Sequence, residues 1–229
     1  MDSPDSYRKI CLKRQTELRR LLVGANQYDK AIRLFLSQHA MLHSREMAHT
    51  EPWSFEDEVL KDMSEQQVRR IAPKGGHSIV WLIWHIARCE DITMNLLVAG
   101  APQVLHRNDW LKRIKSPVCD TGNAMSETAL AEFSNTIDIE ALRAYRLAVG
   151  RRTREIVKQL KPAQLKQKVA SYRITKVMDE GAVVEAARGI ADYWSRRDVA
   201  GLLLMPATRH NLIHLTEALQ LKRGHKQAV

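Results

Sequence analysis

Hydrophobic residues recur at every third or fourth position along most of this chain, which is the spacing of amphipathic helices. Residues 6–23 show the pattern first, and Gly24 and Asn26 predict the end of that helix. A second stretch with the same spacing runs from Tyr28 to about Ala48. No segment alternates polar and apolar residues in the manner of a half-buried strand. The pattern therefore predicts an all-α protein.

The most apolar stretch runs from Ile79 to about Ala99, with Ser78 placed to cap its first turn. His85 and Cys89 share one stripe of this helix, among tryptophans and isoleucines. We therefore expect His85 to point inward, where its imidazole must stay neutral and find partners for its ring nitrogens. A backbone carbonyl is one such partner, and a metal ion is another.

Shorter elements are predicted between the long helices. Ser54 before an acidic turn, and a capping box that begins at Ser64, predict two short connecting helices. Residues 100–125, which contain several prolines and glycines, predict a long crossover with a short helical piece at 108–114.

A fourth long helix is predicted from Asp138 to Leu160, where a Lys-Pro pair stops it. Residues 163–200 read as an insertion that flanks the bundle. Its short helical pieces are predicted at 163–169, 172–180 and 189–198. A chain of 229 residues, 45% of them hydrophobic, can bury one large core. We expect a single domain over residues 1–229, with the bundle core at 26–222.

The last predicted helix carries two histidines. Pro206 suits its first turn, and Gly224 after two basic residues predicts its end. His210 and His214 are four residues apart and therefore share one face, and Glu217 extends that stripe. Leucines occupy the neighbouring face, so the polar stripe is best explained if it lines a pocket.

These positions predict a metal site formed by His85, His210 and His214. Three imidazoles with an open position are the donor set of a catalytic zinc site, and nickel or iron also accept imidazole ligands. Such an ion can activate a bound water or a thiol. Glu217 could be a fourth ligand, an acceptor for an imidazole N–H, a general base, or an exposed residue paired with a basic side chain. The pair His39 and His43, also four residues apart, is the alternative metal site.

Composition bears on the cellular compartment of the protein and on the kinds of cysteine site it can hold. Three cysteines without a Cys-x-x-Cys pair argue against a disulfide framework and against a cysteine zinc ribbon. The start of the chain lacks the pattern of a secretory signal, and the apolar tracts are shorter than the roughly 18 residues of a membrane span. We expect a cytoplasmic protein without a membrane partner.

The net charge of +10 raises the question of an anionic partner. The basic residues are scattered along several helices, which favours solvated helix faces over a nucleic-acid surface. The chain also lacks a recognisable helix-turn-helix signature. A basic helical protein that binds nucleic acid through phosphates is therefore the minority hypothesis.

Two segments carry a family resemblance. SIVWLIWHIARCEDITMNLL (Ser78 to Leu97) and RHNLIHLTEAL (Arg209 to Leu219) resemble the DinB/YfiT-like superfamily of bacterial four-helix-bundle metalloproteins. The resemblance implies a four-helix bundle with His85, His210 and His214 as metal ligands. It also implies a metal-dependent transferase that uses a low-molecular-weight thiol such as bacillithiol or mycothiol.

The chain departs from that family in an extra N-terminal helix, in the His39/His43 pair and in the insertion at 163–200. These additions could shape a substrate pocket or a homodimer surface. The leading functional hypothesis is a metal-dependent transferase or hydrolase that acts on a small molecule. A third hypothesis, besides catalysis and nucleic-acid binding, is a helical bundle that uses its metal ion for stability alone.

Overall fold

The computed structural model of the chain describes residues 3–24, 27–48, 53–73 and 75–227. Within these ranges β-type pairing is limited to an isolated antiparallel bridge between Lys168 and Asp198, so the all-α prediction is confirmed. Asn26, the predicted start of the bundle core, lies outside the described residues. The helices are α1 Pro4–Val23, α2 Tyr28–Leu42, α3 Phe55–Leu60, α4 Glu65–Arg69, α5 Ile79–Asp91, α6 Trp110–Ile114, α7 Glu127–Thr136, α8 Ile139–Gln159, α9 Ser171–Asp179, α10 Arg188–Ser195, α11 Val199–Leu204 and α12 His210–Gln227.

Four long helices pack against one another. Helix α5 contacts α8 and α12, and α2 contacts the same two helices from the other side of the core. This is the neighbour pattern of a four-helix bundle. The predicted N-terminal helix, α1, lies against α2 and α11. The described helices include none with the length and apolarity that a bilayer crossing requires.

Helix α2 is shorter than predicted, because it ends at Leu42 and not near Ala48. His43 is extended, and its carbonyl accepts a hydrogen bond from the Ser54 hydroxyl at 2.7 Å. The carbonyl of Leu42 accepts one from the Arg146 guanidinium at 2.8 Å. Side chains from distant parts of the chain thus donate to carbonyls that would otherwise pair with the N–H groups of a further helical turn.

Helix α5 begins at the predicted cap, where the Ser78 hydroxyl accepts from the backbone N–H of Trp81 at 3.1 Å. All thirteen of its residues are buried. The predicted helix to Ala99 is present, but after Asp91 it widens into a π-helical segment, Ile92–Ala99, which ends at Gly100 in the left-handed conformation. The sequence did not indicate this widening.

The last helical rod begins earlier and ends later than predicted. Asp198 caps α11 by accepting from the N–H of Gly201 at 2.8 Å, and Pro206 lies inside a π-helical segment, Met205–Arg209, that joins α11 to α12. Helix α12 continues past Gly224 to Gln227. Gly224 does not take the left-handed conformation of a helix stop. A glycine inside a helix costs only about 1 kcal/mol, so it need not end one.

The short helices follow the caps that the sequence indicated. Ser54 caps α3, and Ser64 with Gln67 forms the predicted capping box of α4. The insertion contains a 3₁₀ turn at Pro162–Lys166 and helices α9 and α10, close to the predicted pieces. Helix α7, which Ser126 caps, was not predicted.

A buried carboxylate joins α5 to the crossover and to α8. Asp91 accepts five hydrogen bonds and is fully buried. Its donors are Asn95 Nδ2 at 2.8 Å, Val104 N at 2.8 Å, Leu105 N at 2.9 Å, the Tyr145 hydroxyl at 2.7 Å and Arg88 Nη1 at 3.1 Å. The start of the crossover is thereby fixed to the bundle.

Replacing Asp91 by Asn should lower the free energy of unfolding by about 3–5 kcal/mol, because it turns one acceptor into a donor and leaves Arg88 without its counter-charge. Urea denaturation would measure the change. Asp179→Asn, at an exposed carboxylate, is the matched control and should stay within about 0.5 kcal/mol of the parent. Equal stability of the two variants would contradict the structural role of Asp91.

Candidate metal centre

Three predicted site residues come together between α5 and α12. The ring centroids of His85 and His210 are 4.9 Å apart, those of His85 and His214 are also 4.9 Å apart, and those of His210 and His214 are 4.6 Å apart. The Nε2 atoms of His85 and His210 are 3.1 Å apart. His85 therefore points inward, as expected, and faces His210 and His214.

Acceptors outside this triangle hold two of the Nδ1 atoms. His85 Nδ1 lies 2.8 Å from the carbonyl oxygen of Thr121, and His214 Nδ1 lies 2.9 Å from Oε2 of Glu217. Both partners can only accept, so Nδ1 carries the hydrogen in each ring. In the neutral ring the lone pair then sits on Nε2, which is the tautomer that a metal ligand needs.

The third ring, His210, has no such partner. Its Nδ1 is buried and makes no hydrogen bond to the described part of the chain, and its Nε2 faces the lone pair of His85. Burial and the two neighbouring imidazoles hold the pKa of His210 well below its usual range. The Nε2 atoms of His85 and His210 are thus in contact, the first has a lone pair, and neither ring is charged. A cation bound between them would suit this arrangement.

Burial also keeps His85 neutral. It lowers the pKa of this imidazole to about 4, and the hydrogen bond to Thr121 opposes the shift only in part. At neutral pH the proton therefore does not compete for Nε2. The donor set passes the basic test for a divalent metal, which requires unprotonated imidazoles.

Glu217 sits behind the histidines. Its Oε2 accepts from His214, and its Oε1 lies 3.2 Å from Nδ1 of His77. The bond to His214 is the largest cause of a lowered carboxyl pKa. Because both oxygens already face imidazoles, the geometry favours a role in orienting His214 over direct coordination. Sequence reasoning missed His77, which precedes the Ser78 cap and has no helical periodicity to mark it.

Cys89 also approaches the centre. Its Sγ lies 3.9 Å from both ring nitrogens of His85, and the potential ligand atoms of His85, Cys89 and His210 all lie within 4.8 Å of one another. His214 is not part of that tightest group. Burial raises the pKa of the Cys89 thiol to about 12, so the sulfur is protonated at neutral pH. Its position at i+4 from His85 was the available signal.

The alternative pair forms a separate cluster. His39 and His43 both contact Glu90 of α5, and all three side chains are buried. Burial lowers the pKa of His43 to about 3. Burial raises the pKa of Glu90, but His43 and His39 outweigh that effect and hold it well below its usual range.

Two cavities reach the three-histidine centre. The larger, of about 730 Å³, is lined by residues that include Trp81, His85, Met125, His210 and His214. The smaller, of about 290 Å³, shares His85 and His210 with it. The first is within the range of small-molecule sites.

Comparison with known proteins agrees with this arrangement of helices. A crystal structure described as "the conserved protein of locus from Enterococcus faecalis" is similar over 83% of this chain and 94% of its own, with a TM-score of 0.53 and 18% sequence identity. At that identity the likeness concerns the fold alone. None of the curated proteins matches the sequence. The profile of the DinB superfamily matches residues 56–218, which include all three histidines of the centre. The chain is therefore a member of the DinB superfamily.

Proposed function

We propose that this protein is a metal-dependent enzyme whose divalent ion is held by His85, His210 and His214 through their Nε2 atoms. The observation that carries the proposal is that Thr121 and Glu217 each accept from Nδ1 of a histidine in the centre. Nδ1 therefore carries the hydrogen in both rings, which leaves Nε2 of each ring with a lone pair for the ion. Such outer acceptors are typical of histidines that bind metals.

Zinc is the proposed ion, with nickel and iron as alternatives that imidazole ligands also accept. When bound, the ion would supply a water or a thiol in its deprotonated, nucleophilic form. Glu217 keeps the His214 ring in place and is the proposed positioning residue. His77 in turn engages the second oxygen of Glu217 and stacks on Trp81, with ring centroids 3.8 Å apart.

We assign the third ligand to His214 and not to Cys89. The His214 ring is oriented by a carboxylate, as a ligand needs to be. The Cys89 sulfur lies 3.9 Å from both ring nitrogens of His85, so it is not directed at the Nε2 side where the ion would bind. Its place in the lining of the smaller cavity suits contact with a bound molecule.

The two cavities favour a transferase over a hydrolase. Both reach His85 and His210, so two molecules could approach the same centre from different directions. The smaller cavity is lined by apolar residues of α10, within the insertion at 163–200. They include Ile190, Tyr193 and Trp194. We propose a low-molecular-weight thiol as one substrate and a small electrophile with an apolar group as the other.

His214→Ala should remove about one equivalent of metal relative to the parent, whereas Cys89→Ala should leave the metal content unchanged. Elemental analysis of protein purified without added metal gives the stoichiometry. Transfer of bacillithiol or mycothiol to a small electrophile should follow the metal content in the same preparations. Metal loss from Cys89→Ala but not from His214→Ala would overturn the ligand assignment. A metal-loaded parent that unfolds on metal removal and turns over none of the thiols would instead indicate a purely stabilising ion.

Glu217→Gln should weaken metal binding by about 10- to 100-fold, because the neutral amide orients the His214 ring less strongly than the carboxylate does. Competition with a chelator measures the affinity. Glu155→Gln is the control, since Glu155 is an exposed residue paired only with Arg152 in the described contacts. The role of Glu217 would be refuted by equal affinities in the two variants.

Acid should destabilise the metal-free protein. The pKa of His85 is about 4 in the native state, against about 6.5 in an unfolded chain. Between these values the unfolded chain binds a proton that the native state does not, so the stabilisation is complete above about pH 6.5 and declines as the pH falls toward 4. The slope should reach about 1.4 kcal/mol per pH unit for this group. Urea titrations across the interval test it. His85→Gln should reduce the slope, and an unchanged slope would argue against a neutral buried His85.

A further inference from the structure

A second cluster of ligand-type side chains joins α2 to α5. His39 Nε2 lies 2.8 Å from Oε1 of Glu90, and His43 Nε2 lies 3.0 Å from Oε2. The two imidazole centroids are 4.3 Å apart. Exposed fractions are 0% for His39, 1% for His43 and 0% for Glu90, so the cluster lies inside the core.

We propose that His39, His43 and Glu90 form a second divalent-cation site, structural in role and distinct from the three-histidine centre. The potential ligand atoms all lie within 4.8 Å of one another. Each imidazole Nε2 faces a carboxylate oxygen, which can only accept, so in the metal-free cluster these nitrogens carry the hydrogens. A zinc ion would take their place, with the hydrogens transferred to Nδ1. Two imidazole nitrogens and two carboxylate oxygens would then supply four donor atoms, which is the coordination number of a structural zinc site. Two histidines and a carboxylate are the protein ligands of some catalytic zinc sites, but the burial of all three side chains here leaves no position open to a substrate.

The charge of Glu90 supports the proposal. Besides the two imidazoles, the one hydrogen-bond partner of its carboxylate in the described part of the chain is the amide of Asn211, at 3.0 Å. The nearby cation, Arg146, is already paired with Glu56 at 2.8 Å. A fully buried carboxylate that loses its paired cation is destabilised by about 3–5 kcal/mol, so Glu90 needs a positive charge among its partners. A divalent ion between Glu90 and the imidazoles would supply that charge.

Neighbouring residues fix the positions of the two imidazole rings. The Nδ1 atoms of His39 and His43 are buried and make no hydrogen bond to described residues, so Glu90 is the polar group that orients both rings. Helix α8 approaches His43 through Gly150, where an added Cβ would come within 2.8 Å of His43 Nδ1. Only glycine leaves room for the imidazole at this contact.

The proposed site also connects to the first centre. Asn211 is the neighbour of His210 on α12, and its Oδ1 accepts from Arg146 at 2.9 Å while its Nδ2 donates to Glu90. An ion at Glu90 would therefore fix α2, α5 and α12 relative to one another. The first centre uses the same two helices, α5 and α12, for its ligands.

Zinc stoichiometry of the full chain tests the proposal. After equilibration with Zn²⁺ and removal of the excess, the parent should hold about two ions, and both Glu90→Gln and His210→Ala about one. Glu155→Gln, an exposed control, should match the parent. The Glu90→Gln variant, which lacks the ion at Glu90, should have a lower thermal midpoint than His210→Ala, which lacks the ion of the three-histidine centre. The reason is that only the ion at Glu90 is enclosed by the core.

The outcomes separate this site from the proposed enzyme. One ion in the parent that His210→Ala retains and Glu90→Gln loses would support the buried site while refuting the three-histidine centre. One ion that Glu90→Gln retains would overturn the buried site and leave a hydrogen-bonded cluster. If Glu90→Gln does not fold, His210→Ala decides: a retained ion supports the proposal, and a metal-free protein overturns it.

Discussion

The structure depends on the burial of α5 on every side. This helix carries His85, Arg88, Glu90 and Asp91 into the core, and each of these groups must find its partners on other elements, because an unsatisfied buried polar group costs about 1–3 kcal/mol or more. Arg88 and Asp91 are satisfied by Tyr145 and by the start of the crossover. Glu90 is contacted from α2 and α12, and Nδ1 of His85 is paired with Thr121 while its Nε2 faces His210. One helix therefore sets the positions of α2, α8 and α12 and of the crossover.

Helix α12 contacts α5 through two of its faces. Consecutive helical residues point about 100° apart, so His210 can face His85 while Asn211 faces Glu90. A π-helical segment, Met205–Arg209, precedes α12. Side chains donate to carbonyls around it: the Thr208 hydroxyl to Leu203 O at 3.0 Å and Asn211 to Pro206 O at 3.1 Å. π-helical turns often occur at functional sites, and both of those described here adjoin a helix that carries the histidines.

The sequence predicted what depends on local spacing and on chain composition. The caps at Ser54, Ser64 and Ser78, the shared face of His210 and His214, and the inward direction of His85 all follow from helical periodicity. It could not predict the end of α2 at Leu42, because Ser54 and Arg146 impose that end from distant positions. For the same reason it paired neither His39 and His43 with Glu90 nor His77 with Glu217. Those contacts join separate helices and loops, and a single sequence carries no signal for them.

The proposed centre requires the nitrogens of three imidazoles to meet around one ion. Crystals of protein purified without added metal can be measured on both sides of the zinc, nickel and iron absorption edges. We expect an anomalous peak at about 2.0–2.1 Å from Nε2 of His85, His210 and His214. Absence of a peak there at all three edges, with His85 and His210 still joined by the 3.1 Å contact between their Nε2 atoms, would contradict it.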